Sequence, residues 1–322
     1  MVTLNYADKR KYIPMKLYII ILALVGICST SLLAQDQAQF NNYVANQGLL
    51  NPAYNGTRDV ISGLLIARSQ WIGLDGAPNS QAINVHGPIQ DTNLGLGMAL
   101  TNDMVGFTNN LNFMASTSYK LKIDRYQFLS FGLQVGISSH VYDGTKAVTD
   151  SYMDPVFMGK ESKIGFNFGF GTYLYADNYF VGFSVPSFFT QNFDQDKSTF
   201  RNTIDFKNLY TYLYGGYIFD WGDVKVKPTG LFRFVYGAPI EFDISANVLL
   251  AERLWVGLSY RTTSDIIFLS EFIINRQFTI RYSFDYSLTA LNRYAKYGSH
   301  EIGIQFDFMF NKRAGMRSIR YF

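Results

Sequence analysis

From about residue 60 to residue 310 the chain consists of short runs in which apolar and polar residues alternate strictly. In Ser130-Phe131-Gly132-Leu133-Gln134-Val135-Gly136-Ile137-Ser138 every odd position is apolar and every even position is small or polar. In His300-Glu301-Ile302-Gly303-Ile304-Gln305-Phe306-Asp307-Phe308-Met309-Phe310 the even positions from Ile302 onward are the apolar ones. Successive side chains of a strand point to opposite faces, so a period of two gives each strand one greasy and one wet face. Beyond residue 34 no apolar stretch is long enough for a helix to span a bilayer. A dozen or more alternating runs of about ten residues instead predict a membrane-spanning barrel. A closed barrel is also the only sheet that leaves no unpaired backbone edge in lipid.

The alternation marks strands over 60–71, 79–89, 93–101, 109–122, 126–142, 162–175, 179–189, 208–220, 224–235, 240–250, 254–261, 266–274, 277–288 and 299–310. The expected fold is therefore all-β, a transmembrane antiparallel β-barrel of about fourteen strands with short periplasmic turns and longer extracellular loops. The connections support this, because their lengths keep phase with strand number. Every second one is brief, as in Gln90-Asp91-Thr92, Ala176-Asp177-Asn178, Trp221-Gly222-Asp223 and Asn275-Arg276, and several carry the Asp, Asn and Gly of tight turns. The intervening set holds all the long ones, around 143–161, 190–207 and 289–298, with Gly237-Ala238-Pro239 and Thr262-Thr263-Ser264-Asp265 as short exceptions. A soluble β-sandwich has no reason to keep such a phase.

The barrel is expected over 60–310, flanked by three further segments. Residues 1–34 read as a signal peptide with an upstream extension, Met15 being the natural start: Lys16 begins it, an apolar core follows, and Ala34 precedes Gln35. A retained anchor is disfavoured by the shortness of that core, and a lipid-anchored Cys28 by the bulk of Ile27. Residues 35–59 are polar, turn at Asn51-Pro52-Ala53-Tyr54-Asn55-Gly56, and form either a periplasmic lead-in or a segment tucked into the lumen. Residues 311–322 make a basic C-terminal tail with Lys312, Arg313, Arg317 and Arg320.

Charge and cysteine usage exclude several function classes. Lys9, Arg10, Lys11 and Lys16 against Asp8 account for the whole chain's +3, so the remainder is near neutral and no nucleic-acid partner is expected. The single cysteine, Cys28, lies in the leader, which leaves no disulfide, thiol nucleophile or cysteine metal site beyond it. Aromatic residues are abundant at 17%, which suits the two rims of a barrel in outer-membrane lipid.

The chemistry of an enzyme is not apparent. His86, His140 and His300 form no metal-type pair, and no cofactor or catalytic residue is assigned. His140 lies three residues from Asp143 at the outer rim, but no nucleophile or second carboxylate is arranged with them. His86 and His300 read as hydrogen-bonding groups at strand ends. Strand charges read as lumen lining: Arg281 and Asp285 share a face opposite Ile280, Tyr282 and Phe284, and Arg233, Glu241 and Asp243 fit the same scheme. A charge facing lipid near the midplane would cost roughly 2–4 kcal/mol. Such charges either pair and plug the barrel or line a conducting pore.

The last strand, with Glu301, Gly303, Phe306 and Phe308, resembles the polar–x–Gly–x–x–aromatic–x–aromatic signal read by the outer-membrane barrel-assembly machine. A broader resemblance runs from roughly residue 40 to 310. It is carried by Asn51-Pro52-Ala53-Tyr54-Asn55-Gly56-Thr57-Arg58, by Ser69-Gln70-Trp71-Ile72-Gly73-Leu74-Asp75-Gly76-Ala77-Pro78, and by Leu94-Gly95-Leu96-Gly97-Met98-Ala99. It continues through Tyr179-Phe180-Val181-Gly182-Phe183-Ser184-Val185-Pro186, Leu254-Trp255-Val256-Gly257-Leu258-Ser259-Tyr260-Arg261 and Gly298-Ser299-His300-Glu301-Ile302. In these segments the chain resembles the PorP/SprF family of type IX secretion system membrane proteins.

The resemblance implies a non-enzymatic barrel of the cell outer membrane, reached by Sec-dependent export and signal-peptide removal. Its implied partners are periplasmic ring components of the secretion system and a large secreted adhesin, gliding adhesins included, with a C-terminal sorting domain. Partner contacts are expected in the long outer loops, at Asp154 and Pro155 in one and at Phe189, Phe193 and Phe200 in the other, because function concentrates in such loops. Trp71 is expected as a rim anchor, and Gly76, Ala77 and Pro78 as the shapers of the first outer turn. The barrel pattern alone equally permits a passive porin or apolar-solute channel, and a barrel enzyme at His140 and Asp143 stands third.

Overall fold

The structure, a computed structural model, describes residues 38–146, 159–194, 199–204, 209–222, 224–236 and 238–308. The leader with Met15 and Cys28, Asp154 and Pro155, Gly237 and the basic tail lie outside the described residues. So do the side chains of Phe189, Phe193 and Phe200, whose backbone is described.

Seventeen strands occur among the described residues: β1 (Ile61–Ser69), β2 (Asn79–Pro88), β3 (Leu94–Val105), β4 (Thr108–Lys122), β5 (Phe128–Asp143), β6 (Lys160–Tyr175), β7 (Tyr179–Val185), β8 (Phe189–Asp194), β9 (Thr199–Ile204), β10 (Thr211–Tyr217), β11 (Phe219–Asp220), β12 (Lys225–Phe234), β13 (Glu241–Leu250), β14 (Leu254–Arg261), β15 (Asp265–Ile273), β16 (Phe278–Ser287) and β17 (Ser299–Phe308). All their pairings are antiparallel, each wall strand lies beside its neighbours in the chain, and β1 pairs with β17 from Ile61↔Phe308 to Ser69↔His300. The β10–β12 pairing completes the ring. Counting β11 as the end of β10, the wall is a closed fourteen-stranded barrel. The split between β10 and β11 has a local cause. Pairing with β12 stops at Gly216↔Thr229 and resumes at Phe219↔Val226. Pro228, which has no N–H to donate, lies in that gap.

The period of two sorts the wall into an oily outside and a polar inside. Along β5, Ser130, Gly132, Gln134 and Ser138 are buried, while Leu133 and Val135 are 63% and 62% exposed. Along β17, Glu301, Gly303, Gln305 and Asp307 face inward, whereas Ile302, Ile304 and Phe308 face out. Soluble proteins rarely leave a continuous apolar surface of this kind, and a hydrocarbon environment accounts for it. Tyr119, Tyr126, Tyr217 and Trp221 stay exposed near the short-turn rim, where amphipathic rings sit between lipid and water.

Two elements depart from the expected boundaries. β3 runs on to Val105, so the third connection is only Gly106-Phe107, a further short turn at the outer rim. Thr101-Asn102-Asp103 looks like loop because it is polar, but Asp103 points inward and its carboxylate accepts from Ser80 Oγ at 2.5 Å. The second departure lies in 190–207. β7 ends at Val185, and β8 and β9 form a separate two-stranded ribbon with Phe193 opposite Phe200 and Phe189 opposite Ile204.

Candidate functional site

The lumen is occupied. Residues 38–57 cross it from the long-loop end to the short-turn end, and their polar groups bond to strands all round the wall. Their sequence suits such a place, since between Ala38 and Thr57 it carries no charge but is rich in Asn and Gln. An amide side chain can donate and accept at once, so it can satisfy a polar wall without an ion's desolvation cost.

At the long-loop end the strap is held by a charge network. The Glu301 carboxylate accepts the backbone N–H of Asn41 at 2.7 Å, the backbone N–H of Asn42 at 3.0 Å and the Asn42 side-chain amide at 3.0 Å. The Asn41 amide donates to Ser283 Oγ at 2.9 Å and to Asp285, and its oxygen accepts from Arg68 and from Arg261 Nη2 at 3.3 Å. Arg68 also pairs with Asp285 at 2.5 Å, and Arg261 grips Asp243 with Nε and Nη2 at 2.9–3.1 Å. Arg233 joins Asp243 at 2.8 Å and Glu241 at 3.2 Å. Most of these groups are almost wholly buried, with Glu301 at 1% exposure, so each depends on its partners.

Midway, the Tyr43 hydroxyl bonds with Thr229 Oγ1 at 2.7 Å, which in turn meets Ser245 Oγ at 2.5 Å.

Below this the strap forms one helical turn, Gln47–Leu50, and a 3-10 turn, Pro52–Tyr54. Asn51 starts the second turn: its Oδ1 accepts Ala53 N–H at 2.9 Å, and Pro52 at the first position has no N–H to lose. The same amide reaches the carbonyls of Thr172 at 2.9 Å and Phe183 at 3.3 Å, tying the turn to β6 and β7. Asn55 donates to Ser116 Oγ at 2.7 Å, and its carbonyl accepts from Ser118. Gly56 N–H donates to His86 Nδ1 at 3.3 Å.

These turns fit because the wall is cut back to glycine opposite them. A Cβ on Gly132 would overlap the Pro52–Ala53 peptide, one on Gly171 the Asn51 amide, and one on Gly95 the Asn55–Gly56 backbone. Tyr54 then packs edge-on against Tyr173 at 5.5 Å, within a core that includes Tyr43, Tyr175, Phe180, Tyr212 and Tyr214. At the short-turn end Arg58 pairs with Asp307 at 2.9 Å, and the chain enters β1.

The fit is uneven. Between Asn41–Ala45 and the β12–β15 side, a cavity of ≈ 30 Å³ remains, bordered by Lys227, Asn247, Trp255 and Glu271. That is room for a water or two. Lys227 Nζ lies 4.3 Å from the centre of the Trp255 ring, and Arg281 pairs with Glu271 at 2.9 Å.

Several residues singled out by sequence come together at the outer rim. Trp71, with φ 47°, donates its backbone N–H to Ser299 Oγ at 3.0 Å, and Ile72 N–H donates to Gly298 at 2.8 Å. The Gly76 carbonyl, at φ 75°, accepts from Gly106 N–H at 2.9 Å; Pro78 accepts from Gln70 at 2.9 Å, and Ala77 donates to Leu74 at 3.2 Å. Gly303 lies on the lumenal face two residues below Glu301, and Phe306 and Phe308 stack edge-on at 4.6 Å. The strap partners Asn41, Asn42, Arg68 and Arg261, and the seats at Gly132 and Gly171, escaped the sequence reading. An uncharged, Asn-rich stretch beside charged strand ends was the signal for them.

His140 Nδ1 bonds with Asn110 Oδ1 at 2.5 Å, while Asp143 accepts from Thr145 Oγ1 at 2.6 Å. Among the described residues no group of three or more His, Cys, Asp and Glu is placed to hold a metal ion.

Comparison with known proteins gives one match of consequence. The family model described as type IX secretion system membrane protein PorP/SprF matches residues 32–306. No curated protein matches the chain. Solved barrels resemble it at low identity. Omp33 of Acinetobacter baumannii is 9% identical with a TM-score of 0.43, over 79% of this chain and 100% of that one. A FadL homologue of Pseudomonas aeruginosa is 9% identical with a TM-score of 0.47, over 80% and 93%. KdgM porin is 11% identical with a TM-score of 0.35, over 77% and 99%. At these levels the likenesses carry no argument about function.

Proposed function

Because this chain belongs to the PorP/SprF family of type IX secretion system membrane proteins, we propose that it is the docking barrel through which that system exports or attaches large adhesin-type cargo at the cell surface. The barrel works by protein–protein binding. Its partners are periplasmic ring components at the short-turn end and an adhesin with a C-terminal sorting domain, gliding adhesins among them. The chain reaches the outer membrane by Sec-dependent export with removal of residues 1–34.

The observation that carries this reading is the family match over nearly the whole barrel. The occupied lumen supports it over a passive porin or apolar-solute channel, since a wall bonded to its own strap leaves little room for solute. Cargo contact belongs to the outer face. Asp154 and Pro155 occupy one long connection, and Phe189, Phe193 and Phe200 lie on the β8–β9 ribbon, whose outer edges offer backbone hydrogen bonds to an added strand.

The test is to replace residues 189–204 by a short turn and confirm the barrel by its heat-modifiable gel mobility. Adhesin on intact cells is then measured with antibody. Loss of surface adhesin from cells with a normal amount of folded barrel is expected. Undiminished display would remove the ribbon from the contact surface, and undiminished display after deletion of the whole barrel would remove the secretion role.

A further inference from the structure

The strap divides the lumen into two unlike halves. Toward β3–β7 it is held by shape: the turns from Asn51 to Gly56 sit where Gly95, Gly132 and Gly171 leave no room for a Cβ, among buried tyrosines. Toward β12–β15 a ≈ 30 Å³ cavity lies between residues 41–45 and the wall, beside the contacts of Tyr43 with Thr229 and of Asn41 with Arg261. That side is lined by polar and charged groups, Asn247, Lys227, Glu271 and Arg281. Above the cavity, the outer end of the strap is fixed by the Glu301 carboxylate on the N–H groups of Asn41 and Asn42, and by Arg68, Arg261, Ser283 and Asp285 on the Asn41 side chain.

We propose that residues 38–57 are a resident stopper with a seat and a latch. The glycine seat is permanent, and the Glu301–Asn41 cluster is a releasable latch whose opening exposes a narrow polar passage along β12–β15. The two ends differ in the kind of force that holds them. Moving the turns would require the wall backbone to give, because close-packed groups have no slack. Moving Asn41 and Asn42 requires only that hydrogen bonds and ion pairs find other partners, which water entering from the long-loop end supplies, while Tyr43 stays packed in the aromatic core. The half that can move is also the half beside the existing void. The inference concerns the state of the lumen, which the surface-display experiment does not read, so either can fail without the other.

Single-channel recording in planar bilayers tests it with the purified full barrel. The native protein gives no discrete conductance steps. Glu301→Ala, which unlatches the strap from the wall side, gives brief small steps, and Asn41→Ala does so from the strap side. Deletion of 38–57 gives larger, long-lived steps, and Glu252→Ala in an exposed turn stays silent like the native chain. Gel mobility identifies which variants are folded; should one latch variant fail to fold, the other decides. Steady conductance by the native barrel overturns the stopper, as does silence of the folded deletion. Silence of a folded latch variant beside a conducting deletion overturns the latch.

Discussion

Glu301 on the last strand holds the backbone N–H groups of two successive residues, Asn41 at 2.7 Å and Asn42 at 3.0 Å, from the far end of the chain. A carboxylate accepting adjacent backbone donors acts as a clamp on main chain rather than as half of an ion pair, although Arg68 Nη1 also lies 3.6 Å away. The same residue is the polar position of the pattern in β17 that resembles an assembly signal, which would place two requirements on one side chain.

Those requirements separate by experiment. Removing a buried, fully engaged carboxylate strands its donors and an arginine, at a cost of about 3–5 kcal/mol. Glu301→Ala is therefore expected to lower the temperature at which the barrel unfolds in gel-mobility assays, also after refolding in detergent from urea. Reduced assembly in cells with unchanged thermal stability in vitro would show instead that the position is read only as a signal.

Gly132 is expected to accept no side chain. Val at this position would overlap the Pro52–Ala53 peptide, and overpacking of this kind costs about 1–3 kcal/mol. A cysteine introduced as Ala53→Cys reports the displacement. It should resist a water-soluble thiol reagent in the otherwise native barrel and react in the Gly132→Val background. Equal protection in both would mean the strap is not seated on Gly132.

How far the sequence reveals this architecture depends on which interactions are local. The period of two in β5 and β17 is legible because each residue's facing follows from its neighbours alone. What fills the lumen is not local. The partners of Asn41 stand at 68, 261, 283, 285 and 301, and only closure of the ring brings them to one point. The role of Gly171 as a seat depends on Asn51, 120 residues earlier in the chain. The β8–β9 ribbon is missed for a different reason: its alternation is short and is broken where Gln191 and Asn202, a cross-strand pair, stand at the positions that would continue the apolar set of Phe189, Phe193, Phe200 and Ile204.

The outward face of β5 should reject charge. Val135→Arg places a guanidinium in lipid near the middle of a sixteen-residue strand, at an expected cost of roughly 2–4 kcal/mol. Tyr236→Arg, beyond the end of β12 and 73% exposed, should change stability little. Urea midpoints in lipid vesicles compare the two. Equal effects would contradict the assignment of the oily face.

Tyr43→Phe removes one hydroxyl from the buried chain that runs through Thr229 to Ser245. Thr229 and Ser245 keep each other as partners, so the loss should be modest, about 1 kcal/mol. A loss as large as that of Glu301→Ala would place the main hold on the strap at Tyr43.

The occupied lumen is tested most directly by cross-linking in intact outer membranes. Asn55 Nδ2 and Ser116 Oγ lie 2.7 Å apart, joining the strap to β4. With Asn55→Cys and Ser116→Cys in one chain, mild oxidation followed by proteolysis and mass spectrometry should recover the two peptides joined by a disulfide. Two free thiols, both open to a soluble reagent in a folded barrel, would show that residues 38–57 lie elsewhere.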